Sequence, residues 1–164
     1  MISDVMEKMI VYFDGDAKRI NHALKVYGFA KTIAGREEMP PDDRKITELA
    51  AVLHDIGIKE SVRKYGSSEA KYQELEGPPV AVGILEAAKA APEVIQRVSY
   101  LIGNHHTYGK IDGLDFQILV EADFIVNAFE DDMEPAAIRK ISDKYFRTAT
   151  GRKIIESLYL TYKD

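Results

Sequence analysis

The sequence predicts an all-α, single-domain helical bundle over residues 1–164. Apolar residues recur at helical spacing through most of the chain, and no segment alternates with the two-residue period of a half-buried strand. The breaks between periodic stretches fall at Asp, Gly and Pro residues of the kind that start and stop helices. A hydrophobic fraction of 46% with 30% charged residues is enough to build one core and is not the composition of a disordered chain.

Residues 2–13 read as a short amphipathic helix, followed by a turn at Asp14-Gly15-Asp16 in which Asp16 caps the next helix. That helix is expected over 17–34, with Ile20, Leu24, Tyr27, Ala30 and Ile33 as its apolar stripe. After a break at 35–41, Asp42 or Asp43 is expected to cap a third helix running to about Asp55, with Ile46, Leu49, Ala50 and Leu53 inward and Gly57 as its stop. Residues 59–77 read as a long, polar, partly irregular connection, of the kind that is usually functional. Pro78-Pro79 is expected to open a helix to about Ala90, and Pro92 another to about Asn104. A loop over 105–113 precedes a strongly apolar helix over 114–129, and helices near 135–146 and 152–162 complete roughly seven or eight.

The chain has no cysteine, so disulfides, thiolate metal sites and cysteine nucleophiles are excluded. Any metal must be held by His, carboxylate, carbonyl or water, which suits Mn, Mg, Fe, Ni, Co or Zn. A net charge of −5 gives no general attraction for extended nucleic acid. Charges interrupt every apolar stretch, so no membrane span is expected. The first residues lack a basic segment followed by an apolar one, and the expected location is the cytoplasm.

There are four histidines, His22, His54, His105 and His106. Each alone has an ordinary explanation, as a surface residue or as a helix-end residue favoured by the dipole. The acidic residues strengthen the case. Asp55 follows Ala50-Ala51-Val52-Leu53-His54, and Asp123 sits within Ile118-Leu119-Val120-Glu121-Ala122-Asp123-Phe124-Ile125-Val126. A carboxylate on such an apolar face needs a partner, because an unpaired buried charge costs several kcal/mol. For Asp123 a salt bridge or helix cap is the alternative. A divalent cation would satisfy these groups together, with His54-Asp55 from one helix end and His22 and Asp123 from two others.

The order His22, His54-Asp55, Asp123 resembles the H…HD…D signature of the HD-domain superfamily of metal-dependent phosphohydrolases. Ala50-Ala51-Val52-Leu53-His54-Asp55-Ile56-Gly57 is similar to its central helix, and Val120-Glu121-Ala122-Asp123 to its last ligand helix. The likeness covers roughly residues 18–128, with the helices at 135–162 beyond it. It implies an HD-domain/phosphodiesterase-like helical fold and one or two divalent ions. It also implies hydrolysis of phosphomonoesters or phosphodiesters, often nucleotides, with His22, His54, Asp55 and Asp123 as ligands.

Some members of that superfamily hold a second metal with a further His and a later His pair. His105-His106 matches the pair, while the intervening His is absent and Glu76 stands as a candidate oxygen ligand or as a solvated acid before a helix. Asp55 would then bridge two ions. The Gly-Tyr-Pro element of the cyclic-dinucleotide branch is absent after His106. For catalysis the candidates are Asp55 at the metal, Lys59 (with Arg63, Lys64 and Lys71 behind it) as a cation for the phosphoryl charge, and His105 or His106 as general acid. Tyr65, Tyr72 and Tyr108 are candidates for stacking on a base or for packing in the bundle. The expected partner is a small phosphorylated substrate such as a nucleotide. A homo-oligomer is left open by the apolar face of Ile154, Ile155, Leu158 and Tyr159. The competing readings are a regulatory HD module that binds metal or nucleotide without turnover, and a helical protein without metal.

Overall fold

The structure, a computed structural model, describes residues 1–161. Among these it is helical with no strand: α1 (Ile2–Phe13), α2 (Ala17–Arg36), α3 (Pro41–Leu53), α4 (Ile58–Tyr65), α5 (Ala70–Ala87), α6 (Pro92–Ile102), α7 (Leu114–Glu130), α8 (Pro135–Tyr145) and α9 (Ala149–Ile155). A 3-10 turn (Tyr108–Lys110) precedes α7, and a π turn (Glu156–Leu160) follows α9. The last expected helix runs on to Tyr162, which lies outside the described residues.

Helix α3 is the centre of the bundle and packs against α1, α2, α6 and α7. Every residue from Thr47 to Leu53 is buried, so Ala51 and Val52 join the expected inward face of Leu49, Ala50 and Leu53, and the helix is enclosed on all sides. Met9, Leu101, Phe116 and Ile118, on the helices packed against it, are fully buried, and each such side chain contributes about 1.5–3 kcal/mol when removed from water.

Asp16 caps α2, accepting from Arg19 N at 3.1 Å. The deep face of α2 is Ala23, Val26, Ala30 and Ile33, with His22 at its start. Ile20, Leu24 and Tyr27 are only half-buried, so the expected stripe lies slightly to one side of the real one. Small residues let α2 approach α3 and α7 closely, and the larger ones cover the seam. At the start of α3, Pro40 holds the cap position and makes no side-chain cap bond. Asp42 and Asp43 lie in the first turn, where their charge still favours the helix dipole.

Four expectations are corrected between residues 54 and 87: a helix end, a connection, a helix start and a stop. The helix bearing the His-Asp pair ends at Leu53, and His54 to Gly57 form a tight turn into α4. The connection expected at 59–77 is mostly helical, being α4 and the first turns of α5, so Pro78-Pro79 lies inside α5 and does not open it. Many polar residues of 59–77 lie on the outer faces of these helices, while Ser61, Gln73 and Glu76 are buried. Gly57 is not a left-handed stop, since its φ is −72°. A β-carbon there would meet Gln73 O at 2.5 Å and Gly77 N at 2.6 Å. Gly57 is glycine because α5 crosses the turn backbone to backbone.

Glu121 in α7 is wholly buried. Its carboxylate accepts from Gln117 Nε2 at 2.7 Å, Arg147 N at 2.6 Å and Thr148 N at 3.0 Å, and from the Thr148 hydroxyl. Thr148 in turn caps α9 through Gly151 N. One carboxylate thus ties the start of α9 to the helix that carries Asp123.

Gly57→Ala is expected to destabilise the protein by about 2 kcal/mol or more, because the added methyl has only backbone to displace. Urea unfolding of the two proteins measures this.

Candidate metal centre

Four elements deliver the site. Helix α2 brings His22, the turn after α3 brings His54 and Asp55, the turn after α6 brings His105, and α7 brings Asp123. Because the chain leaves the helix after Leu53, neighbours that would point about 100° apart on a helix both face the centre. His22 Nε2 lies 3.1 Å from His54 Nε2, 3.2 Å from Asp123 Oδ1 and 3.6 Å from Asp55 Oδ2. His54 Nε2 is 3.6 Å from Asp55 Oδ1 and 3.6 Å from Asp123 Oδ1.

The outer nitrogens fix the rings. His54 Nδ1 donates to Ala51 O at 2.9 Å and His105 Nδ1 to Ile102 O at 2.7 Å. His22 Nδ1 donates to Glu130 Oε2 at 2.9 Å, and Glu130 is also held by Lys25. Carbonyls and carboxylates only accept, so each Nδ1 carries the hydrogen and each neutral ring aims an Nε2 lone pair inward. Two lone pairs 3.1 Å apart repel unless a proton or a cation lies between them. His105 Nε2 is buried without a hydrogen-bond partner and lies 3.5 Å from Asp55 Oδ1. This donor chemistry fits a divalent ion.

Two groups have the spacing to hold one, His22 with His54 and Asp123, and Asp55 with His105 and His106. The Asp55 carboxylate lies between them. Backing the second group, Glu74 accepts from His106 N at 3.0 Å and from the Thr107 hydroxyl at 3.0 Å, while Gln73 Oε1 lies 3.3 Å from His106 Nε2. On the first, Asn127 Nδ2 donates to Asp123 Oδ1 at 2.9 Å.

The field of the site follows from these contacts. Burial acts against charge on His22, but hydrogen bonding to Asp123 and the Asp55 charge more than offset it and push its pKa up to about 9. Burial likewise opposes charge on His54, and the Asp55 and Asp123 carboxylates raise it nonetheless. Asp55 and Asp123 are held below the usual carboxylate range, because the facing histidines outweigh the cost of burial. Burial, and then His105 beside it, lower His106 to about 4, so that ring stays neutral near pH 7.

Other expected residues lie elsewhere. Glu76 is bound by Lys64 and by the Tyr65 hydroxyl at 2.9 Å, on the face of α5 away from the cluster, and it is Glu74 that meets the His pair. Lys59 donates to Tyr12 O at 2.7 Å and sits over the Tyr12 ring, facing α1. Arg63 pairs with Glu60, Lys64 with Glu76 and Lys71 with Glu69. Beside Lys25 on Glu130, the cations near the cluster are Lys18 and Arg19, the latter paired with Asp16, and both line a cleft of about 310 Å³ together with His22, Asp55, Asn127 and Asp131. Their signal was in the sequence, since positions 18 and 19 precede His22 by the four and three residues that share a helix face. Glu74 and Glu130 gave no such signal, because their partners are 32 and 108 residues away.

The profile of the family described as HD domain matches residues 19–148, and the chain belongs to that family, one of metal-dependent phosphohydrolases. The fold is also similar to a crystal structure at 1.45 Å described as a predicted HD superfamily hydrolase from an uncultured Thermotogales bacterium. The two are 27% identical over 96% of this chain and 83% of that one, with a TM-score of 0.65. No curated protein matches the chain. No helix among the described residues is long and apolar enough to cross a membrane.

Two outcomes are expected. Because the folded pKa of His22 is raised, its stabilising effect in metal-free protein is complete below pH 6.5 and is lost as pH rises through about 9. Thermal unfolding of metal-free protein should therefore weaken across that window, and His22→Gln should flatten the slope. Glu130→Gln keeps an acceptor for His22 but removes the charge, and should weaken metal binding about 10-fold or more in chelator competition.

Proposed function

We propose that the chain hydrolyses a phosphate ester of a small metabolite, with His22, His54, Asp55 and Asp123 holding the essential divalent ion. The observation that carries this reading is the convergence of inward-facing Nε2 atoms and two ionised carboxylates at a cleft that also presents Lys18 and Arg19. A divalent ion there supplies acidity to a water and polarises the phosphoryl oxygen. Asp55, kept ionised by the histidines, is the group placed to accept the proton of the attacking water. Lys18 and Arg19 balance charge on the transferring phosphoryl group. Asn127 holds Asp123 and Glu130 holds His22, so both side chains are fixed before substrate arrives. His105, 2% exposed and facing Asp55, serves that carboxylate or a second ion, in preference to protonating a leaving group in the cleft.

The test is turnover of a phosphoester panel, p-nitrophenyl phosphate included, by protein loaded with Mn, Co or Ni. His54→Ala and Asp55→Ala should lower turnover by about 100-fold or more while the helical circular dichroism is kept. Parent-like turnover in either folded, metal-replete variant would refute the assignment.

A further inference from the structure

The lining of the cleft beside the metal centre narrows the substrate class. At about 310 Å³ it is at the small end of ligand pockets, which span about 300–1,000 Å³. Of its eleven lining residues only Ile58 is apolar, none is Phe, Tyr or Trp, and the one ring, His22, is committed to Glu130 and to the metal centre. Ordinary small-molecule sites are predominantly apolar, and a nucleobase is held chiefly by stacking on an aromatic face.

The tyrosines that the sequence offered for stacking are engaged with other rings. Tyr65 and Tyr72 stack on each other at 4.2 Å, and Tyr108 packs on Tyr145 at 4.8 Å and on Phe124 at 5.3 Å. The wider cavity beside Tyr108 and Tyr145 is lined by none of the candidate metal ligands, and neither is the groove between α1 and α5.

Charge points the same way. The cleft carries two cations, Lys18 and Arg19, against four carboxylates, Asp16, Asp55, Glu130 and Asp131. A divalent ion offsets that excess of two and leaves no surplus of positive charge, so each phosphate of a nucleotide chain beyond the one at the ion adds an anion facing Asp16 and Asp131. What the rim offers beyond the phosphate is carboxylate, amide and hydroxyl, from Asp131, Asn127 and Ser68. These complement groups that both donate and accept hydrogen bonds, as alcohols do.

We infer that the substrate is the phosphomonoester of a small sugar or polyol and not a nucleotide; this rests on the phosphoesterase reading above. In the reaction a water oxygen bonds to phosphorus as the ester P–O bond breaks. The polyol leaves with one proton, and inorganic phosphate is the other product.

The experiment compares kcat/KM of the Mn-loaded full chain for glycerol phosphate and hexose 6-phosphates with that for AMP, ATP and cyclic AMP. The expected result is a preference of about tenfold or more for the sugar and polyol phosphates, the size of one missing base-stacking contact. Lys18→Gln and Asp131→Asn should each raise KM for the preferred polyol phosphate several-fold. Equal or better use of any nucleotide overturns the inference and leaves the phosphoesterase reading standing. If no phosphoester is turned over, p-nitrophenyl phosphate included, the phosphoesterase reading fails. Calorimetric binding to the same protein then decides the inference. Tighter binding of glycerol phosphate than of AMP supports it, and tighter AMP binding, or binding of neither, overturns it.

Discussion

Three imidazoles aim their Nε2 atoms into one buried space, and the arrangement is tolerable only with positive charge at its centre. Each ring is committed by its outer nitrogen to an acceptor that cannot donate, Ala51 O for His54, Ile102 O for His105 and Glu130 for His22. The inner lone pairs therefore face one another and face Asp55 and Asp123. A proton relieves part of that repulsion, as the raised affinity of His22 for one indicates. A divalent cation relieves it through all of the inward donors at once. Helix packing serves this demand, since α2, α7 and the turn after α3 must meet closely enough for side chains from each to share a point. The small residues on the buried face of α2 permit it.

The fold was legible in the sequence where periodicity is strong. The lengths of α1, α6 and α7 follow from apolar spacing and from Pro and Gly at their ends. It was illegible at 59–77, where a polar composition stood for loop but belonged mostly to helices α4 and α5. The Pro78-Pro79 pair misled for a related reason. Proline at a first turn is common, and nothing local announced that two helical turns precede it. Only the contacts of Gly57 and Gly77, distant in sequence, explain the crossing there.

The candidate site divides along the same line. Asp55 and Asp123 were visible because an ionisable residue in an apolar run is anomalous in itself, and His22 and His54 joined them through the H…HD…D order. Glu130, Glu74 and Gln73 were not, because each lies on a half-exposed or polar stretch and gains its role only through a tertiary contact. Glu76 and Lys59 attracted attention by their position in the chain, yet Glu76 faces Lys64 and Lys59 faces Tyr12. On α5, two residues separate a carboxylate at the histidine pair from one at an outer ion pair, a displacement of about 200° around the helix.

The contact at Gly57 has a consequence for how this site can drift through sequence change. In the turn bearing His54 and Asp55, Gly57 meets α5 through main-chain atoms, Gln73 O and Gly77 N. Side-chain volume does not enter that separation, which is fixed by the radii of peptide atoms. The exposed residues of α4 and α5 are thus free to diverge, in size and in charge, while the gauge between Asp55 and the Gln73–Glu74 pair that backs His106 is preserved. The outer faces of these two helices can be rewritten for a new surface without retuning the chemistry beneath them.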